Sequence, residues 1–238
     1  MSGQNQNNVT VQKTHKGEFC LPGNNANGRA VIVLHEAPGV TKNVRRRSQD
    51  LAKLGYVVFA PFLHGYARPL GSEESRAAVS HFYENPQLLR ERVKESLDYL
   101  CETFPLTCCH IAVIGYCFGG MAALEYARSG AAVAGIVSFH GLLKTLLPAS
   151  ADSIKAPLLV CTGAKDPFVP QEHILNFWME MEKARADWRL IVFGNAAHSF
   201  TNLTAHEFGD ERLRYDAQSD VMSWDNMKIF LQECFTDK

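Results

Sequence analysis

The run Ile111-Ala112-Val113-Ile114-Gly115-Tyr116-Cys117-Phe118-Gly119-Gly120-Met121-Ala122-Ala123-Leu124-Glu125-Tyr126-Ala127 decides the fold. Ile111 to Ile114 is continuously apolar, the pattern of a strand buried on both faces. Met121 to Ala127 reads as a helix. Between them lies a Gly-x-Cys-x-Gly turn. A strand, a tight turn and a helix form a nucleophile elbow, which holds a reactive side chain at a sharp bend. The flanking residues must be small because strand and helix approach closely there, and Gly115, Gly119 and Gly120 meet that need. Cys117 falls at the helix N-terminus, where the partial positive charge of the helix favours an anionic sulfur. The bland alternative is a buried cysteine beside a glycine-rich helix start.

A nucleophile needs a base, and the base needs a group that orients it. Downstream of Cys117 come Pro157-Leu158-Leu159-Val160-Cys161-Thr162-Gly163-Ala164-Lys165-Asp166 and Leu190-Ile191-Val192-Phe193-Gly194-Asn195-Ala196-Ala197-His198. Each is an apolar strand followed by a turn that carries an acid or a histidine. The order nucleophile, acid, histidine is that of α/β-hydrolases. Each candidate also follows the C-terminal end of a strand, where open α/β sheets place their ligands. Asp166 alone is an ordinary turn aspartate, and His198 alone an ordinary loop histidine. The ordered set of the three is much harder to obtain by chance than any one of them.

The remaining pattern alternates strands and helices. Strands are expected at Val9 to His15 (an edge), Ala30 to Leu34, Tyr56 to Ala60 and Ala132 to Phe139. Helices are expected at Lys42 to Leu54, Glu73 to Tyr83, Gln87 to Phe104, Gln171 to Lys183 and Asp220 to Phe235. This implies one α/β-hydrolase domain over residues 9–238, a mostly parallel sheet with helices on both faces. The 238 residues suit a single domain with a large core. The first eight residues are polar and are expected to be disordered, with no secretory signal.

A formal net charge of −1 gives no reason to expect a nucleic acid or a membrane surface as partner. No apolar run is long enough to span a bilayer. The seven scattered cysteines fit reduced thiols in a cytoplasmic protein. The adjacent Cys108-Cys109 is no zinc pair, and no other spacing suggests a metal; no cofactor is expected. A monomer or small homo-oligomer is expected.

His35-Glu36-Ala37-Pro38-Gly39-Val40 follows the strand ending at Leu34. The corresponding loop of α/β-hydrolases supplies one oxyanion amide, and the residue after the nucleophile supplies the other. These are the N–H groups of Ala37 and Phe118, with Glu36 placed near the thiol.

Together, His35 to Val40, Gly115-Tyr116-Cys117-Phe118-Gly119-Gly120, Gly163-Ala164-Lys165-Asp166 and His198-Ser199-Phe200 resemble the dienelactone hydrolase family. The similarity runs from about Ala30 to Phe235. It implies a triad of Cys117, Asp166 and His198, with Glu36 helping to activate the thiol. Founding members hydrolyse dienelactones, cyclic enol esters, and carry an arginine four positions after the histidine that binds the substrate carboxylate and pairs with the glutamate. Here that position is Asn202, and a neutral amide cannot hold a carboxylate by a bidentate ion pair. Arg68, Arg76, Arg212 and Arg214 remain as replacements. Tyr116, Ser199, Phe200, Asn202 and Arg76 are the candidate substrate contacts. The expected activity is hydrolysis of a small-molecule ester or lactone through an acyl-cysteine. The alternatives are a thioesterase on the same triad and a non-catalytic ligand-binding or thiol-sensing protein.

Overall fold

A computed structural model describes residues 9–236; the expectation for the first eight residues lies outside them. Eight strands and six α-helices follow in the order β1 (Thr10–Lys13), β2 (Gly17–Leu21), β3 (Ala30–Leu34), α1 (Lys42–Lys53), β4 (Val57–Pro61), α2 (Ser72–Glu84), α3 (Pro86–Thr103), β5 (Ile111–Tyr116), α4 (Phe118–Arg128), β6 (Gly135–Phe139), β7 (Leu158–Gly163), α5 (Gln171–Ala184), β8 (Trp188–Phe193) and α6 (Ala217–Thr236). Short 3-10 turns occur at Cys108–His110 and Ala205–Phe208.

The strands form one sheet in the order β1-β2-β4-β3-β5-β6-β7-β8. From β4 to β8 every neighbouring pair is parallel; β1 and β2 form an antiparallel hairpin that adds to β4. The expected architecture is therefore present. The edge strand is shorter than expected, and β2 is an addition. Its Glu18 is buried in the strand because Arg45 of α1 donates two bonds of 2.8 Å to the carboxylate.

Strand side chains alternate between two cores, as the period of two demands. Ala30, Ile32 and Leu34 join the core under α2 to α5, with Leu89, Val93, Met121 and Phe177. Val31 and Val33 join the core under α1 and α6, with Val44, Leu51, Met227 and Leu231. Burial on both faces explains the unbroken apolar runs of β3 and β5. The elbow helix α4 is buried along its whole length. Its Glu125 sits between Arg90 of α3 (2.7 Å) and Arg128 (3.0 Å).

Candidate active site

Cys117 stands between the last residue of β5 and the first of α4, with φ 55° and ψ −114°. A non-glycine residue in this region is strained, and surrounding structure must hold it there. Its N–H lies 3.0 Å from Phe139 O and 3.2 Å from His140 Nδ1, and its carbonyl accepts from Met121 N–H at 3.1 Å. The glycines have a steric reason. A Cβ on Gly115 would lie 1.9 Å from Gly119 O, and one on Gly119 would lie 2.2 Å from Leu34 O. The helix start thus presses on the end of β3, bringing the 35–40 loop beside the elbow.

Asp166 follows β7 in a tight turn, and His198 follows β8. The two loops are stitched together by Lys165 N–H donating to Ala196 O at 3.0 Å. Gly163 is required at this crossing, since a Cβ there would lie 2.2 Å from Ala196 O. Arg214 N–H in turn donates to His198 O at 2.9 Å, so the segment before α6 closes over the histidine loop.

These turns bring the three expected residues into one chain of contacts. His198 Nε2 is 3.1 Å from Cys117 Sγ, and His198 Nδ1 is 2.7 Å from Asp166 Oδ2. The other Asp166 oxygen accepts from Phe168 N–H at 2.9 Å, and the Phe168 ring stands edge-on to the imidazole at 4.9 Å. Asp166 and His198 are buried, while Cys117 is half-buried and accessible. Burial alone would pull the His198 pKa down. The negative charge of Cys117 and the hydrogen bonds with Asp166 and Cys117 outweigh it and push the imidazole up to about 10. At neutral pH the imidazole therefore holds its proton between the Asp166 carboxylate and the Cys117 sulfur.

The two amides expected to bind an oxyanion are those of Ala37 and Phe118. Phe118 is the first residue of α4, so its N–H is one of the unpaired amides at a helix start. Among the described residues the Ala37 N–H makes no hydrogen bond. The Glu36–Ala37 peptide is fixed from its other side: Glu36 O accepts from Gly39 N–H (2.9 Å) and from His35 Nδ1–H (2.7 Å). Leu63 N–H donates to His35 Nε2 at 3.1 Å, which fixes that tautomer, and burial holds the ring neutral with a pKa of about 3. His64 Nε2–H donates to Ala37 O at 2.8 Å.

Glu36 is buried, but its carboxylate is occupied elsewhere than at the thiol. Thr41 Oγ1–H (2.8 Å), Asn43 Nδ2–H (3.2 Å) and Asn202 Nδ2–H (3.1 Å) all donate to it. Burial raises its pKa, and these bonds oppose the rise. Asn202 is thus a partner of Glu36 and is itself buried. Two other expected substrate contacts are also buried. Tyr116 is fully buried in the core under α1 and α6, stacked on Phe139 at 4.8 Å. Phe200 is fully buried beside Phe193 and His140. Both side chains join the core under α1 and α6. Ser199 is buried with φ 60°, shaping the turn after His198. Arg76 lies exposed on α2. Arg68 and Arg212 are engaged by Glu74 and Asp210. Arg214 reaches Asn195 O at 3.5 Å.

Sequence reading missed His140 and Thr201. His140 follows the C-terminal end of β6 directly, as Cys117 follows β5, and so lies at the strand ends where the loops of Asp166 and His198 also begin. Among the described residues no cluster of His, Cys, Asp or Glu could hold a metal ion, and no helix is long and apolar enough to cross a membrane.

Comparison with known proteins gives a consistent picture. Residues 17–235 match the dienelactone hydrolase family. A protein of Bradyrhizobium sp named "Probable 2-oxo-3-(5-oxofuran-2-ylidene)propanoate lactonase" is 27% identical over 215 residues, 85% of this chain and 83% of that one. The crystal structure of a dienelactone hydrolase-like promiscuous phosphotriesterase from metagenomic libraries superposes with a TM-score of 0.87 at 33% identity, covering 95% of this chain and 98% of the other. A structure named m3DLH superposes with a TM-score of 0.85 at 34% identity, over 96% of this chain and 98% of that one.

Proposed function

Since this chain belongs to the dienelactone hydrolase family, a family of ester-bond hydrolases, we propose that it cleaves a small neutral ester or lactone through an acyl-cysteine on Cys117. The observation that carries the reading is the unbroken Asp166–His198–Cys117 contact chain at a strained elbow. Cys117 Sγ attacks the carbonyl carbon, and the carbonyl electron pair moves onto oxygen. The Ala37 and Phe118 N–H groups receive that oxyanion, each donor worth about 3 kcal/mol by analogy with other oxyanion holes. The tetrahedral species collapses, and His198 Nε2–H gives its proton to the departing alkoxide oxygen. Neutral His198 then takes a proton from water, whose oxygen attacks the acyl carbon. The C–S bond breaks, the thiolate leaves, and the thiolate–imidazolium pair is restored. Asp166 keeps the Nδ1 proton in place throughout.

The acyl group is neutral because, among the described residues, the site offers a substrate carboxylate no free cation beside Glu36. Asn202 occupies the position from which an arginine would reach it, and Arg46 is committed to Asn43 Oδ1 and Thr201 O at 2.9 and 2.7 Å. Glu36 acts here as the fixed anchor of the oxyanion loop. A second reading, cleavage of neutral phosphotriesters, is favoured by the likeness to the promiscuous phosphotriesterase. The same sulfur attacks phosphorus in place of carbon, an aryloxide or alkoxide leaves with the proton of His198 Nε2, and water activated by His198 then cleaves the S–P bond to release the phosphodiester.

The test is turnover of p-nitrophenyl acetate and of paraoxon by the wild type and by Cys117→Ala. The wild type should show a burst of p-nitrophenol from acetate followed by steady turnover, and the variant neither. Undiminished turnover by Cys117→Ala overturns the proposal.

A further inference from the structure

His140 is a buried histidine that the triad does not use. It has no exposed surface, and its backbone is left-handed at φ 40°. Its own N–H donates to Cys161 O at 2.8 Å, which ties the turn to β7. The side chain reaches in two directions. Nδ1 lies 3.2 Å from Cys117 N, and a backbone N–H can only donate, so Nδ1 is the bare, accepting nitrogen. The ring proton is therefore on Nε2, 2.8 Å from Thr201 Oγ1, which accepts it. Thr201 belongs to the loop that carries His198, and its carbonyl accepts from Arg46 at 2.7 Å and Arg47 at 3.4 Å. The imidazole also stands edge-on to His198, with 5.3 Å between ring centroids.

We infer that His140 is a positioning residue that locks the nucleophile and the base into one geometry, accepting from the Cys117 N–H while donating to Thr201 of the base loop. The inference rests on the reading of Cys117 and His198 as nucleophile and base. Cys117 is held in a strained conformation through its amide, and Phe139 O and His140 Nδ1 are the two acceptors of that amide. Without the imidazole, the elbow peptide and the base loop lose their common anchor. The 3.1 Å Sγ–Nε2 contact depends on both ends. The role requires a neutral ring, since an imidazolium would turn an Nδ1–H against the Cys117 N–H. Burial, the His198 charge and the Arg47 charge all hold the His140 pKa well below its usual value.

Three variants separate positioning from packing. His140→Phe keeps the ring volume and removes both bonds. His140→Asn keeps an acceptor near the Nδ1 position, and asparagine tolerates a left-handed backbone. Thr201→Val removes the Oγ1 acceptor alone. The readouts are kcat and KM for p-nitrophenyl acetate, and the pH profile of iodoacetamide labelling at Cys117, located by peptide mass spectrometry. His140→Phe should lose about 100-fold in kcat, the scale of a misplacement near 1 Å, with KM nearly unchanged. Its half-maximal labelling should move up by about one pH unit, because a looser imidazolium supports the thiolate less. His140→Asn should recover most of both losses, and Thr201→Val should show a smaller upward shift. A folded His140→Phe with an unchanged labelling profile overturns the inference, as does equal impairment of His140→Phe and His140→Asn with that profile unmoved. If His140→Phe does not fold, Thr201→Val decides: an upward shift supports the inference, and an unmoved profile overturns it. Labelling requires no ester, so a flat profile refutes His140 while leaving the nucleophile reading to the Cys117→Ala assay.

Discussion

Asp166→Asn is a small change that the site cannot absorb. Both oxygens of Asp166 accept: Oδ2 from His198 Nδ1–H at 2.7 Å and Oδ1 from Phe168 N–H at 2.9 Å. Asparagine has one accepting oxygen and one donating NH2, so either orientation places a donor against a donor. If the oxygen keeps Phe168, the NH2 faces Nδ1 and forces the imidazole to carry its proton on Nε2. That neutral ring already points N–H at the sulfur and cannot take the thiol proton. If the oxygen keeps His198, the Phe168 N–H faces the NH2 in a buried place, at a cost of about 1–3 kcal/mol. Breaking a buried, charge-assisted pair costs about 2–5 kcal/mol, which is roughly 30- to 4,000-fold in rate. The same substitution in a serine triad costs about 10⁴-fold through the wrong tautomer. The expected loss in kcat is therefore about 10³- to 10⁴-fold. The assay is steady-state turnover of p-nitrophenyl acetate, with near-UV circular dichroism to show an intact fold. A folded variant that keeps more than a tenth of wild-type kcat would refute the reasoning, and Glu36 would become the next candidate for the acid.

Further expectations concern pH, the glutamate and specificity. His198, raised to about 10 in the folded protein, keeps its proton through neutral pH, so the acylation burst should fall only as pH rises toward that value; a decline centred near 7 in stopped-flow measurements would contradict the ion pair. Glu36→Leu strands the buried donors of Thr41, Asn43 and Asn202 and should destabilise the fold by about 3 kcal/mol or more, read from urea unfolding. An unchanged midpoint would mean the loop rearranges without it. Asn202→Arg places a cation beside Glu36 and should raise the kcat/KM ratio of dienelactone over its methyl ester by about tenfold or more. An unmoved ratio would mean that the substrate lies elsewhere than against residue 202.

Much of the framework was legible because its signals are local. β3 and β5 are buried on both faces and so read as unbroken apolar runs. Asp166 and His198 each lie in the loop that follows a strand's C-terminal end, where open α/β sheets put their ligands. What escaped was what depends on partners distant in the chain. β2 carries Glu18 in a buried position, which looks unsuited to a strand until Arg45 is placed over it. Tyr116 and Phe200 lie next to Cys117 and two residues after His198, yet β5 alternation sends Tyr116, and the turn after His198 sends Phe200, into the core under α1 and α6. His140 directly follows a strand, as Cys117 does. Its importance lies in bonds to residues 23 positions before it and 61 after it, which no periodicity encodes.

On the proposed reading, specificity follows from how this site keeps a buried carboxylate in the oxyanion loop. A buried carboxylate needs partners, and a resident arginine would be the direct remedy. This chain does otherwise. Thr41, Asn43 and Asn202 surround Glu36 with neutral donors, and Arg46 stands one residue further back, donating to Asn43 Oδ1 at 2.9 Å. The guanidinium steadies Glu36 through the amide of Asn43 without facing the open side of the elbow. An arginine beside the thiolate would attract any anionic substrate; the amides satisfy Glu36 and leave no such attraction. On the proposed reading, the arrangement that anchors the oxyanion loop also selects for neutral acyl groups, and both properties converge on Asn202.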